Sequence, residues 1–137
     1  MVRQPNYRNR EAAPAPGIEL CAAAAIAPGK AKVFTFRDGL YVFEMFVMRP
    51  PAEVTPPTDF TGPDGLVAYV NDCPHAHAPL DWEPGEFLDN RRRLLLCTMH
   101  GASFGIYDGK CIDGPCPGAS LTPVFIEVGN GVVRVGR

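Results

Sequence analysis

Two stretches decide how this chain is read: CPHAHAPLDW at residues 73–82 and CTMHGASFGIYDGKCIDGPCPG at residues 97–118. Each opens with a cysteine followed closely by a histidine, as Cys73-Pro74-His75 and Cys97-Thr98-Met99-His100, with residues 76–96 between the couplets. A tight couplet lets one loop present a soft thiolate and an imidazole to the same metal without long-range assembly. Two Cys and two His would also satisfy zinc, so the couplets alone leave zinc and iron–sulfur open.

Outward from the couplets, the chain reads as short strands between turn signals, an all-β pattern. Leu66–Val70 leads into Cys73 and Arg92–Leu96 into Cys97, which puts both couplets at the tips of hairpin loops. Upstream, Gly17–Cys21 is a candidate first strand. Lys32–Arg37 follows, with Val33 and Thr35 on one side and Phe34 and Phe36 on the other. Asp38-Gly39 is a hairpin dipeptide, and Tyr41–Met48 returns as a long segment whose only charge is Glu44. Residues 49–65, RPPAEVTPPTDFTGPDG, are too rich in proline for a central strand and read as a loop insertion. Downstream, Ser103–Tyr107 and Lys110–Ile112 flank an Asp108-Gly109 turn. Val124–Val128 and Val132–Val135 then flank Gly129-Asn130-Gly131. Residues 1–17 are polar and then Ala/Pro-rich, without a periodic pattern. They read as a mobile or partner-packed tail ahead of one domain at 18–137.

Composition narrows the class. The chain has 137 residues, enough for one core, with formal net charge −2 and 46% hydrophobic residues. That balance offers no global basic field for nucleic acid or an anionic membrane, and aromatics are not interleaved with Lys and Arg. The five cysteines are Cys21, Cys73, Cys97, Cys111 and Cys116. An odd count without a recognisable leader argues against a secreted disulfide framework and for a reduced, cytoplasmic chain whose paired cysteines bind metal. Leu20–Ala27 is too short to span a bilayer.

The pattern C-x-H followed by C-x2-H, with the G-P-C-P-G run at residues 114–118, resembles the Rieske [2Fe–2S] family over about residues 18–137. The resemblance implies stacked antiparallel sheets with two cluster-binding hairpin loops and a covering proline loop. It implies that Cys73 and Cys97 bind the inner iron and His75 and His100 the outer one, with Gly114–Gly118 as the proline loop. The spacing of 21 residues between couplets is long for the family, and a hairpin at Trp82–Arg93 accounts for it. In the respiratory branch an extra cysteine in each loop forms a bridging disulfide. The matching positions here are Ala78 and Met99. That branch also places serine and tyrosine hydroxyls toward sulfur, where this chain has Ala102 and Phe104. Ser103 is one position off and would face the other way on a strand. Fewer hydrogen bonds to sulfur imply a potential at the low end of the Rieske range, about −150 mV.

By the same resemblance the chain is a single-electron carrier between a flavin-dependent reductase and a terminal oxygenase, with no substrate chemistry of its own. The alternative within the family is the small Rieske subunit of a larger reductase such as assimilatory nitrite reductase. A zinc-stabilised binding module and a degenerate Rieske fold used for recognition are the readings from other classes. Among neighbouring residues, His77 reads as a nearby or surface histidine rather than a ligand. Cys111 reads as a small core residue, Cys116 as a loop residue beside the cluster, and Cys21 as a buried hydrophobe. Trp82 and Phe87 are expected to pack under the cluster loops. Arg91-Arg92-Arg93 reads as a solvated turn that could also meet an acidic partner face.

Overall fold

A computed structural model describes residues 6–74, 78–97, 101–114 and 118–137. Nine strands make three antiparallel three-stranded sheets, and no α-helix occurs among the described residues. In chain order they are β1 (Glu19–Ala22), β2 (Ala31–Asp38), β3 (Tyr41–Met48), β4 (Val67–Val70), β5 (Leu94–Cys97), β6 (Ala102–Gly105), β7 (Cys111–Asp113), β8 (Ile126–Gly129) and β9 (Val132–Val135). The sheets run β1-β9-β8, β2-β3-β4 and β5-β6-β7.

The second half of β3 and all of β4 are buried on both faces, which explains why β3 carries almost no charge. Successive residues of a strand point to opposite sides. Phe46 and Met48 of β3, with Val67 and Tyr69 of β4, therefore face Leu95, Cys97, Ala102 and Phe104 of β5 and β6. Phe43, Met45 and Val47, with Ala68 and Val70, face Val133 and Val135 of β9. The alternation read from β2 holds: Val33 packs on the side of Phe46 and Met48, Phe34 and Phe36 on the side of Phe43 and Met45. Phe46 stacks on Phe87 at a ring-centroid distance of 4.0 Å, and Tyr69 donates its hydroxyl to the Ile106 carbonyl at 2.7 Å. That bond joins the middle sheet to the cluster-side sheet, and burial pushes the Tyr69 phenol up from its ordinary value.

The proline-rich segment 49–65 does form a loop, and Arg49 pins both of its ends. Its guanidinium donates to the carbonyls of Ile26 (2.7 Å), Ala23 (3.0 Å) and Asp64 (2.8 Å), and pairs with the Asp64 carboxylate at 2.9 Å. A planar fork with five donors suits three carbonyls and a carboxylate in one place.

The N-terminal segment differs from expectation. Its described part, from Asn6 to Gly17, packs on the domain instead of extending from it. Tyr7 is fully buried against Phe43 and Phe125. Burying such a ring contributes about 2 kcal/mol. Arg8 donates to the Gly136 carbonyl at 2.8 Å and lies over the Tyr7 and Phe125 rings. Arg10 pairs with Asp72 at 3.1 Å and reaches the Thr122 hydroxyl at 3.3 Å. One anchoring aromatic and two arginines hold the segment, a mode of attachment that periodicity does not reveal.

Candidate metal centre

The first couplet hangs from the end of β4. Val70 N–H is held by the Thr122 carbonyl at 2.9 Å, and Asp72 N–H folds back on the Val70 carbonyl at 2.9 Å. Cys73 N–H then bonds the Ala78 carbonyl at 2.8 Å, closing residues 73–78 into a tight loop. A second closure lies outside the first: Leu80 N–H donates to the Asn71 side-chain oxygen at 2.8 Å. Asn71, buried despite its polarity, was not singled out from sequence. The signal was present in N-D-C-P-H, but an asparagine before a loop is ordinary turn composition.

The second couplet is held by the sheet. Cys97 on β5 pairs directly with Ala102 on β6, the last pair at the tip end of the β5–β6 ladder. Gly101 adopts φ 72°, a conformation glycine takes without the strain a side chain would bring. β6 leads away from that tip, and β7 returns to it, delivering Gly114 beside the start of β6. A Cβ on Gly114 would lie 2.7 Å from the Ala102 Cα and 3.1 Å from its nitrogen, and the φ of 105° is itself glycine's. Cys111 N–H bonds the Ala119 carbonyl at 3.0 Å, which ties β7 to the chain that follows it.

Cys73 and Cys97 are each 1% exposed, and both lie in one apolar cluster with Leu80, Phe87, Ala102 and Phe104. Neutral thiols fit such a site as small hydrophobes. As thiolates they need a cation in contact, because an isolated buried anion is very costly. Iron supplies that charge, so the pair suits the sulfur side of a cluster. His75, His77, His100 and Cys116 lie outside the described residues, as do Met99 and two prolines of the proline loop, Pro115 and Pro117. Among the described residues no group of three or more His, Cys, Asp or Glu forms a metal site.

The remaining candidates fall as follows. Ala102 and Phe104 lie on the face of β6 shared with Cys97 and are buried, whereas Ser103 points away, beside Asp113 and the Asp89–Leu94 turn. Phe87 is buried as expected. Trp82 is not: it is 47% exposed, its indole N–H donating to the Leu88 carbonyl at 3.3 Å. Phe87 has taken the core position, leaving Trp82 on the outer side of the hairpin. Cys111 is half-buried rather than a core residue, its sulfur 3.5 Å from the Asp113 carbonyl. Cys21 is likewise half-buried, and desolvation raises its pKa. Arg91, Arg92 and Arg93 are exposed in the turn before β5, Arg92 at φ 58°.

An all-β fold that buries Cys73 and Cys97 in one apolar cluster fits one class of protein, the Rieske-type iron–sulfur domains. The Rieske [2Fe-2S] domain model matches residues 19–128, and the chain belongs to that family; its cofactor is a [2Fe–2S] cluster. Among solved structures, the chain is similar to the ferredoxin of carbazole 1,9a-dioxygenase from Nocardioides aromaticivorans IC177. The two share 20% identity at a TM-score of 0.61, over 89% of this chain and 98% of that one. A ferredoxin from Sphingomonas yanoikuyae B1 aligns at 18% identity and a TM-score of 0.54, over 88% and 98%. A Mycobacterium tuberculosis protein assigned as an NADH-dependent nitrite reductase small subunit aligns at 21% and 0.55, over 87% and 92%. No curated protein matches the sequence. Among the described residues no helix is long and apolar enough to cross a membrane.

Proposed function

We propose that this chain is a cytoplasmic single-electron carrier whose [2Fe–2S] cluster is held by Cys73 and Cys97 on one iron and His75 and His100 on the other. The carrying observation is the burial of both couplet cysteines in one apolar cluster, just after β4 and at the end of β5. The cluster supplies one-electron chemistry, with neutral imidazoles lowering its negative charge relative to an all-cysteine site. The chain supplies apolar surroundings for the two cysteines and the two couplets that would carry the ligands.

The partners we infer are a flavin-dependent reductase as donor and a terminal oxygenase as acceptor. Support comes from a carbazole 1,9a-dioxygenase complex of oxygenase and ferredoxin, to which the chain aligns at 22% identity and a TM-score of 0.58. Likeness to the nitrite reductase small subunit favours a second reading, a subunit fixed to a large reductase partner. Purification from the native host separates them: a free carrier elutes alone, and a subunit stays with its partner. The function itself is tested by iron and acid-labile sulfide analysis, with a visible spectrum that bleaches on dithionite. Colourless protein with stoichiometric zinc would overturn it in favour of the zinc module.

A further inference from the structure

Building on that reading, we propose that Asn71 is a positioning residue for the first cluster loop, its carboxamide fixing the base from which Cys73 is presented. Asn71 is 5% exposed. Its oxygen accepts the N–H of Leu80 at 2.8 Å, and Leu80 is fully buried. Its nitrogen donates to Glu44 Oε1 at 2.8 Å and to Asp81 Oδ1 at 3.0 Å. The orientation of the amide follows from its neighbours. A backbone N–H can only donate and an ionised carboxylate can only accept, so the oxygen must face Leu80 and the nitrogen the two acids.

The two acids are themselves anchored. Glu44 Oε2 accepts the Thr35 hydroxyl at 3.3 Å, and its backbone carbonyl accepts Asn71 N–H at 2.8 Å. Asp81 Oδ2 accepts Gly85 N–H at 3.2 Å. One buried amide thus links β2 and β3, the base of the first loop and the start of the hairpin that leads to Cys97. The loop it spans runs from Cys73 to Leu80 and contains both ligands of the first couplet. Aspartate in its place would set three carboxylates face to face, and alanine would leave the Leu80 N–H unpaired in a dry site.

The test uses the full-length chain with Asn71→Ala, Asn71→Asp, and the triple variant Asn71→Asp/Glu44→Gln/Asp81→Asn. The triple variant reverses the side-chain donors and acceptors between these three residues while preserving their shape. Cluster loss to an iron chelator, the electron paramagnetic resonance spectrum and amide exchange at Leu80 are measured. Expected are cluster loss about tenfold to a hundredfold faster in both single variants, an altered spectrum, faster Leu80 exchange, and recovery of all three in the triple variant. If Asn71→Ala does not fold, the contrast between Asn71→Asp and the triple variant decides. Single variants with wild-type cluster loss and spectrum, or a triple variant no better than Asn71→Asp, would overturn the proposal. A wild-type chain without iron would instead overturn the functional reading, while Leu80 exchange would still report the clamp.

Discussion

Among the described residues the first loop is closed by a backbone bond, Cys73 to Ala78, and a side-chain bond, Leu80 to Asn71, whereas the second follows a paired ladder in which Cys97 sits opposite Ala102. A strand ladder spreads its hold over many backbone groups, so no single side chain decides it. A buried amide between two carboxylates concentrates the hold in a few polar atoms, where unmet donors and acceptors are costly. The two halves of the centre therefore differ in what breaks them. The first loop responds to changes of hydrogen-bonding chemistry at Asn71, the second to changes of backbone space at Gly114 or of what faces the cluster at Ala102.

The largest effect removes that asymmetry altogether. Cys73→Ser, Cys97→Ser, His75→Ala and His100→Ala are each expected to lose the cluster, read as loss of visible colour and iron. His77→Ala is expected to retain both, and loss of iron there would shift the ligand set by two residues. Next, Gly114→Ala forces a side chain onto the Ala102 backbone at a positive φ. It is expected to cost about 1–3 kcal/mol in denaturant unfolding and to quicken cluster loss from the side of the second loop.

Smaller still is Tyr69→Phe, which strands the Ile106 carbonyl between two sheets and should cost about 1–2 kcal/mol. It also carries a pH signature. Burial raises the Tyr69 phenol in the folded state, while the unfolded phenol ionises near its ordinary value of about 10. The folded state then binds more protons at high pH, so the stability from Tyr69 is full below about pH 10 and falls as pH rises above it. Unfolding measured across that range should show a shallower fall in Tyr69→Phe.

The smallest effect sharpens the comparison through the redox couple. Ala102→Ser adds a hydroxyl on the face of β6 that Cys97 shares, whereas Ser103→Ala changes the opposite side. A hydrogen bond worth about 1.4 kcal/mol more to the reduced state raises a one-electron potential by about 60 mV. Starting from about −150 mV, the first variant should rise by that order in a potentiometric titration and the second should stay. A clearly positive wild-type midpoint would remove the basis for both.

Legibility from sequence followed the physics of each element. Tyr41–Met48 and Val132–Val135 have the bounds expected, because apolar β-formers between turn signals leave little choice. The inward Ala102 and outward Ser103 followed from strand alternation alone. Tyr7, Asn71 and Trp82 were beyond reach for a different reason. Each owes its place to partners distant in sequence, Phe43 and Phe125 for Tyr7, Glu44 for Asn71, and Phe87's occupation of the core in the case of Trp82. Local pattern reports period and turn chemistry; it is silent on which of two nearby aromatics enters the core.

Mössbauer spectroscopy of the iron-57-enriched protein, oxidised and dithionite-reduced, tests the central claim most directly. The ligand set Cys73, Cys97, His75 and His100 predicts a two-iron centre with inequivalent sites, one thiolate-bound and one imidazole-bound, the added electron localised on the imidazole side. Two equivalent thiolate-bound irons, or protein holding zinc and no iron, would contradict it.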